Sequence, residues 1–520
     1  MKRTISLLLV LVLLVGTTAC ANIGGGKKHS DASLSVGYAV LDISPNISLP
    51  LDGYAGTQWE PKNRWSQAVD WPLKAIAIAI TDANDNTVMI VALDMLTAFM
   101  ADAMRKVIKE ETGIAEENVF FHCTHNHNGV AIRETDPKVT TYITELTYSV
   151  RNAARVSMED RKPVTEVATT FTHAEGCNTV RHYLVSDGEY LSSNKAKLAE
   201  DVTWYGHTTA ADDMIQLVKF TREGGKDVVM MNYQGHLCAS DIPRTTATSD
   251  HAGVMRSYVE KELNCLSMFI QGGGGNLAMG TYLEDEQMRA SSKDYKQLGN
   301  TLGADAVAAA ANFEPITIEN IQNKEQLTLV DTKDGGKLKA YLNAFSIGDF
   351  AMVSAPFEIF DTNAMYVREN SPYKMTFYAS CTNGANQYLA TPECFDWTTS
   401  YEVNGSPGAK GAAEAVQNEQ LAMLNELFGP ERTPTEKPEG YVRAEFVPVT
   451  DGHIYTIAQR EDGSVMKQVK NDFYQFTGIR EDGQHKILLV KDLALAETIS
   501  GMKTAKFLFD HQNVVVGIEQ

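Results

Sequence analysis

The segment Val119-Phe-Phe-His-Cys-Thr-His-Asn-His-Asn-Gly129 decides the expected fold and carries the clearest chemistry in the chain. Its apolar first half predicts a buried strand, and its polar second half, closed by Gly129, predicts a loop at the end of that strand. Ligands of open α/β sheets bind at such loops. His125 and His127 can face the same way there, and imidazole is both the commonest metal ligand and a proton carrier near neutral pH. The segment favours a metal-assisted hydrolase, although ordinary loop histidines are the simpler explanation of an isolated pair.

The rest of the region 34–429 alternates strand and helix patterns, which predicts an α/β fold with mixed sheets and flanking helices. Polar turns separate two pairs of apolar runs, so hairpins are expected at 75–81 with 87–93 and at 214–221 with 227–233. A further apolar strand, 266–270, leads into four consecutive glycines. Helical patterns cover 101–112, 142–158, 251–263, 295–312 and 411–428.

The two ends of the chain carry different signals. Residues 1–20 have the pattern of a lipoprotein signal peptide, with Lys2 and Arg3, a short apolar run and small residues before Cys20. This predicts export to the cell envelope, periplasm or cell surface, with a membrane anchor through lipidated Cys20 and a flexible tether at 21–33. The proline-rich stretch 430–440 predicts a linker, and 441–520 predicts a small β-rich domain.

Charge and cysteine spacing exclude several classes of function. The formal net charge is −20 with no basic block, which argues against a nucleic-acid partner. The six cysteines after Cys20 contain no C-x-x-C pair, so a zinc ribbon or a redox motif is not indicated. Cys123 and Cys265 lie in apolar strands and are expected to be small buried residues. Nothing in the sequence indicates a protein partner.

Three more segments share the pattern of an apolar strand followed by a polar residue in a glycine- or proline-containing turn. They end at His236, Glu358 and Tyr388. Imidazoles from His125 and His236 with the Glu358 carboxylate would leave one position open for water, as catalytic zinc sites require. Taken singly, a core histidine, an acid near a helix N-terminus and a packing tyrosine explain these residues as well.

The order and surroundings of these segments resemble the neutral (alkaline, non-lysosomal) ceramidases, metal-dependent amidases that split the N-acyl bond of ceramide. The resemblance begins at 36–45, includes Gly53-Tyr54 and extends to about Gly429. The stretch 124–129 is similar to the family motif T-H-T-H-S-G. Further matches are the block from His236 to Asp250, the glycine-rich loop before Leu277, the segment 355–358, and the tyrosine segments 388–393 and 401–402.

The resemblance implies one zinc ion per chain and a zinc-dependent amidohydrolase that cleaves ceramide or a related N-acyl lipid with metal-activated water. By residue-for-residue match, His127 and Tyr401 would polarise the scissile carbonyl or handle protons, and Arg181 would assist as a cation near the oxyanion. The implied zinc ligands are His125, His236, Glu358 and Tyr388.

Departures from the family pattern indicate a divergent member. Ala278 stands where the family has a serine, so a nucleophilic serine cannot act there. The stretch between Ala278 and Glu358 is shorter than in ceramidases, where added segments help to hold the lipid, and the C-terminal region is smaller than their immunoglobulin-like domain. These differences leave two alternatives open. One is a hydrolase of the same fold that acts on a more polar N-acyl or ester substrate, and the other is a non-catalytic, ligand-binding surface lipoprotein.

Overall fold

The computed structural model describes residues 33–54, 64–133, 135–185, 190–192, 204–281, 287–396, 400–443, 448–469, 473–509 and 514–519. The expected signal peptide and the tether up to residue 32 lie outside the described residues. No helix in the described part of the chain is long and apolar enough to cross a membrane.

The larger sheet of the 34–429 region is mixed, with antiparallel pairs in its middle and a parallel pair at each end. Each parallel pair is joined by a crossover helix, Ala101–Thr112 at one end and Asp250–Leu263 at the other, as parallel pairing requires. Across the sheet the strands are Leu266–Gln271, Val228–Tyr233, Met214–Arg222, Lys162–His173, Leu34–Asp42, Lys74–Asp82, Thr87–Leu93 and Val119–Cys123, with Glu314–Pro315 paired to Lys162–His173.

A second, four-stranded sheet packs against the first. Its strands are Gln322–Asp331, Lys337–Ile347, Phe350–Ser354 and Met375–Ala379. Side chains of both sheets form one apolar core, in which the Phe120 and Phe345 rings meet edge to face at 5.3 Å. Both rings are fully buried. This shared core fixes the second sheet against the strand that leads into the histidine segment.

Short sheets of two or three strands accompany these two sheets, and the described part of the chain contains eight α-helices. The short sheets are Trp204–His207 with His182–Val185 and Tyr190–Ser192, Thr246–Thr248 with Ala68–Trp71, Leu277–Ala278 with Thr179–Val180, and Glu358–Ile359 with Tyr388–Leu389. The helices are Ala101–Thr112, Pro137–Glu159, Asp250–Leu263, Tyr295–Ala309, Asp361–Asn370, Tyr401–Gly405, Ala412–Phe428 and Leu493–Ser500.

The α/β class and both hairpins are confirmed, and helix ends differ from the expected ones for local reasons. The first helix ends at Thr112, as expected, and Gly113 follows in the left-handed conformation (φ +79°). The helix expected at 142–158 begins at Pro137, because the Asp136 side chain accepts from the Lys138 amide as its N-cap. None of the six cysteines after Cys20 forms a disulfide in the part of the chain that is described.

The C-terminal strands form a separate sheet with its own apolar core around Tyr455 and Phe476. The segment before this sheet contacts the 34–429 region, since Lys437 Nζ donates to the Arg368 carbonyl (3.1 Å). The division at 430–440 into a linker and a further domain stays a prediction. The strands are Val449–Thr450, Tyr455–Ile457, Lys467–Val469, Phe473–Arg480, His485–Val490, Thr504–Ala505, Phe507–Phe509 and Val514–Ile518.

Candidate metal centre

The histidine segment leaves its strand at Cys123 and turns sharply. His125 has a φ of +63°, a conformation that non-glycine residues seldom adopt outside functional sites and tight turns. Asn126 stabilises the turn, because its side-chain amide donates to the carbonyls of Asp94 (3.1 Å) and Thr248 (2.7 Å). His125 and His127 therefore face one centre because of this turn, and not because of the alternation of a strand.

A contact between the two edge strands of the larger sheet brings the segment of His236 close to the segment of His125. The backbone N–H of Gln271, at the end of one edge strand, donates to Nε2 of His122 in the other (3.0 Å). The His127 N–H donates to the Leu237 carbonyl next to His236 (3.0 Å). His236 thus lies beside His125, although their strands lie far apart in the order of the sheet.

The second sheet supplies the other side of the site through a two-stranded parallel pair. Glu358 lies opposite Tyr388 in this pair, and the Glu358 N–H donates to the Gln387 carbonyl (2.8 Å). Gly275 of the glycine-rich loop lies so close that a Cβ atom there would be 2.5 Å from the Glu358 carbonyl oxygen. The loop can pack against this pair only because the residue is glycine.

Three imidazoles and one carboxylate converge at the centre. His125 Nε2 lies 3.2 Å from His127 Nε2 and 3.1 Å from Glu358 Oε2. His236 Nε2 lies 3.5 Å from the same carboxylate oxygen. Ligand atoms of the three histidines all lie within 4.8 Å of one another, so this group could hold a metal ion.

Backbone carbonyls fix the orientation of two of these rings. His125 Nδ1 faces the Leu96 carbonyl at 3.1 Å, and His236 Nδ1 faces the Leu277 carbonyl at 2.9 Å. When each Nδ1 carries the hydrogen, the Nε2 lone pairs point at Glu358, which is how metal-binding histidines are oriented. Lone pairs and a buried carboxylate that face each other need a proton or a metal ion between them. The donor set therefore fits a divalent metal ion.

The pKa directions divide the cluster into two: His125 and Glu358 favour their charged forms, whereas His127 and His236 favour their neutral forms. Burial lowers the pKa of His125, but the Glu358 carboxylate and the Cys381 thiol outweigh burial and raise it well above its usual range. Burial raises the pKa of Glu358, yet His125 and His236 hold it well below its usual range. Burial and the neighbouring imidazoles lower the pKa of His127. Burial and Arg181 lower the pKa of His236 to about 4.

Arg181 and two tyrosines border this cluster. The Tyr388 hydroxyl lies 3.3 Å from His236 Nε2 and accepts from Arg181 Nη2 (3.1 Å). The Tyr401 ring meets the Tyr388 ring edge to face at 5.7 Å and is 38% exposed. The structure therefore brings six of the seven expected site residues into direct contact and sets Tyr401 at their edge. Their individual roles stay predictions.

Several residues at the site received no role from the sequence. Glu402 pairs with Arg181, and the Tyr54 ring lies edge-on to His127 at 5.3 Å. Asp94 receives two hydrogen bonds from the Arg256 guanidinium (2.6 and 2.9 Å), and its carbonyl holds Asn126. Asp94 directly follows the apolar strand Thr87–Leu93, but no glycine or proline comes shortly after it, so only the first half of the pattern that indicated the other segments was present.

The fold and the cluster define an α/β protein with a candidate metal centre, and two solved structures share the fold. The neutral ceramidase of Pseudomonas aeruginosa matches with a TM-score of 0.60 and 14% sequence identity, over 86% of this chain and 84% of that chain. A ceramidase complexed with C2 matches with a TM-score of 0.59 and 13% identity over the same shares. No protein-family model and no curated protein matches the chain. The chain therefore has the neutral ceramidase fold, as the resemblance of its motifs implied.

Proposed function

We propose that the protein is a metal-dependent amidase that cleaves the N-acyl bond of ceramide or a related N-acyl lipid. The observation that carries this proposal is the convergence of His125 and His236 Nε2 on the Glu358 carboxylate, with both Nδ1 atoms facing backbone carbonyls. The fold shared with two ceramidase structures supports the choice of an N-acyl substrate.

Zinc is the proposed cofactor, one ion per chain, because two imidazoles and a carboxylate are a usual ligand set for catalytic zinc. The proposed ligands are His125, His236 and Glu358, with Tyr388 as a fourth and displaceable one. When bound, zinc supplies a water whose pKa falls from about 15.7 to about 7 and a Lewis acid for the carbonyl oxygen.

His127 is the proposed proton carrier of the reaction. Its pKa is lowered by burial and by the adjacent imidazoles, so the ring is neutral near pH 7 and can accept a proton. Hydrolysis of an amide consumes one water and releases a carboxylic acid and an amine, and the amine must be protonated as it leaves. A neutral imidazole that takes a proton from water can deliver it to that nitrogen.

Arg181 and Tyr401 are proposed to stabilise the negative charge that develops on the carbonyl oxygen. Arg181 is held by three acceptors and has Nη1 directed at His236 (3.5 Å), so its charge needs no rearrangement during the reaction. Burial raises the pKa of Tyr401, which keeps its hydroxyl protonated as a donor. Removing one such donor from an enzyme costs about 3–4 kcal/mol of transition-state stabilisation.

The first experiment combines metal analysis with an assay of fatty-acid release from a fluorescent long-chain ceramide. Stoichiometric zinc with turnover that a chelator abolishes is the expected result. The His127→Ala protein should keep its zinc and lose turnover, which separates proton transfer from metal binding. Zinc-free protein that hydrolyses the substrate as fast as the loaded protein contradicts the proposal.

A second function, hydrolysis of a more polar N-acyl or ester compound, is favoured by the short stretch between Ala278 and Glu358. A panel of long-chain, short-chain and sugar-linked N-acyl compounds distinguishes the two functions. Preference for the short or sugar-linked compounds would favour the second. Zinc binding without turnover of any compound would favour a non-catalytic ligand-binding lipoprotein.

We also propose that Cys20 carries the lipid that anchors the protein to a membrane, in the cell envelope or at the cell surface. Small residues before this cysteine and the apolar run that precedes them support a lipoprotein cleavage site. Cys20→Ala should move the protein from the membrane fraction to the soluble fraction. Equal partitioning of parent and variant would contradict the anchor.

A further inference from the structure

We infer that Glu402 is a positioning residue of this site, which holds the Arg181 guanidinium in the orientation that meets Tyr388 and His236. The inference rests on the proposed function, since it assigns a residue to the reaction proposed above. Glu402 is completely buried, although carboxylates are almost never buried without partners.

The two oxygens of the Glu402 carboxylate bind two different donors. Oε1 accepts from Arg181 Nε at 2.6 Å, and Oε2 accepts from His182 Nε2 at 2.9 Å. A carboxylate can only accept, so the hydrogen of His182 must be on Nε2. Burial raises the pKa of Glu402, but Arg181 and His182 outweigh burial and hold it at about 2, so the group is ionised at any working pH.

The bond to Nε determines what the rest of the guanidinium can reach. Because the group is planar, fixing Nε sets the plane and direction of both Nη atoms. Nη2 then donates to the Gly275 carbonyl (2.8 Å) and to the Tyr388 hydroxyl (3.1 Å), while Nη1 lies 3.5 Å from His236 Nε2. Glu402 thus acts on the centre through Arg181.

Glu402 also connects the exposed edge of the site, where Tyr401 lies, to its buried part. Tyr401 and Glu402 are the first two residues of the helix Tyr401–Gly405, whose N-cap Ser400 accepts from the Val403 N–H. Tyr401 is 38% exposed and its neighbour is fully buried. A shift of this short helix would move both the rim tyrosine and the anchor of Arg181.

The test is the Glu402→Gln variant, which keeps the shape and one acceptor oxygen but removes the charge. Loss of a residue that orients a site group typically costs about 10- to 100-fold in activity, and we expect this loss in kcat, with KM changed by less than about threefold. Zinc content should equal that of the parent. Unchanged kcat in a folded, zinc-loaded variant overturns the inference.

Asp160→Asn is the matched control for loss of a carboxylate that binds a buried arginine. Asp160 accepts from Arg222 Nη1 at 2.6 Å and from the Tyr38 amide, both outside the candidate metal centre. The Asp160→Asn variant should have a lower thermal stability and an unchanged kcat. A similar kcat loss in both variants would show a general effect of destabilisation and overturn the inference.

A double-mutant cycle separates positioning from mere support of the fold. In an Arg181→Met background, Glu402→Gln should lower kcat by less than about threefold more, because residues that act as a unit are not additive. Fully additive losses would contradict an action through Arg181. If Glu402→Gln does not fold, His182→Leu is the alternative variant, because it removes the second hydrogen-bond donor to the Glu402 carboxylate. This variant should have a reduced kcat and a full zinc content. An unchanged kcat contradicts the inference.

Cobalt loading gives a readout independent of turnover. The visible absorption of the Co²⁺-loaded Glu402→Gln protein should differ from that of the parent at equal stoichiometry, because the Tyr388 hydroxyl loses its fixed donor. An identical spectrum with unchanged kcat refutes the inference and leaves the proposed function intact. A parent protein that neither binds Co²⁺ nor cleaves any substrate refutes both.

Discussion

His122 and His125 lie three residues apart in one segment, are both buried, and have opposite surroundings. Both ring nitrogens of His122 have neutral partners, the Thr382 hydroxyl (2.9 Å) and the Gln271 N–H (3.0 Å). Only one nitrogen of His125 has a backbone partner, and the other faces the Glu358 carboxylate and a second imidazole. Burial therefore does not distinguish a structural histidine from a candidate ligand, whereas the partner of the second nitrogen does.

The two histidines also differ in the charge that their surroundings favour. Burial lowers the pKa of His122 to about 3, so the ring is neutral and joins the two edges of the larger sheet. The Glu358 carboxylate raises the pKa of His125 despite its burial. His122 and His125 lie on the same segment, yet the first joins two backbone elements and the second faces the charged cluster.

The largest expected effect is that of His125→Ala. Without this ligand the bound ion is lost, and the pKa of water returns from about 7 toward 15.7, so turnover should fall below detection. Zinc content by elemental analysis and turnover of N-acyl substrates check this expectation. A zinc-loaded His125→Ala protein would show that the metal binds elsewhere and that His125 is not a ligand.

Gly53→Ala should cost about 100-fold in turnover with zinc retained. Gly53 has a φ of +101°, and a Cβ atom there would be 2.4 Å from His127 Cα and 2.5 Å from its Cβ, so the imidazole must move. Displacement of a reacting group by about 1 Å can cost about 100-fold. The measurement is kcat of the zinc-loaded variant.

Gly113→Ala is the control, because Gly113 also has a positive φ (+79°) but a Cβ atom there would meet nothing within 4 Å. It should lower stability by about 1 kcal/mol, as a left-handed alanine does, and leave turnover unchanged. Equal loss of turnover in the two variants would show that backbone strain, and not contact with His127, is responsible.

His122→Leu should lower the free energy of unfolding by about 1–3 kcal/mol, since the buried Gln271 N–H loses its acceptor. Zinc content per folded molecule should stay at the parent level. Denaturant unfolding and elemental analysis of the refolded fraction test both parts. Loss of zinc from a folded His122→Leu protein would show that the structural histidine also controls the metal centre.

A further expected effect is a change in acid stability. The pKa of His122 is about 3 in the folded protein and near 6.5 in the unfolded chain, so below pH 6.5 the unfolded chain binds a proton that the folded protein does not. Above pH 6.5 neutral His122 makes its whole contribution to the free energy of unfolding. On acidification from pH 6.5 toward pH 3 that free energy falls by up to about 1.4 kcal/mol per pH unit. His122→Leu should therefore unfold with a weaker dependence on pH. If the free energy of unfolding depends on pH equally in the parent and in His122→Leu, His122 is not neutral in the folded protein.

Much of the local structure follows from the sequence. The helix Ala101–Thr112 is bounded by a periodic pattern and by Gly113, and the strands Thr87–Leu93 and Val119–Cys123 are continuous apolar runs. The helix that begins at Pro137 was expected five residues later, because its first turn is largely polar and its start depends on the cap at Asp136. Periodicity detects buried faces, whereas caps at polar ends give weaker signals.

The candidate site was predictable only in part. The positions of His125, His236, Glu358 and Tyr388 followed from strand ends and from the resemblance to a family. The role of Glu402 did not, because its partner Arg181 is 221 residues away. No local pattern indicates which buried arginine a carboxylate will meet.

The sequence by itself determined the strands, the helices and the order of the polar segments that end them, because these depend on the periodicity and chemistry of neighbouring residues. Only the tertiary structure decided which histidine became structural and which faces a carboxylate. Gln271 approaches His122 from the opposite edge of the sheet, and Glu358 approaches His125 from another sheet. The role of each histidine depends on the group that contacts its second ring nitrogen, and that group comes from a strand that is distant in sequence.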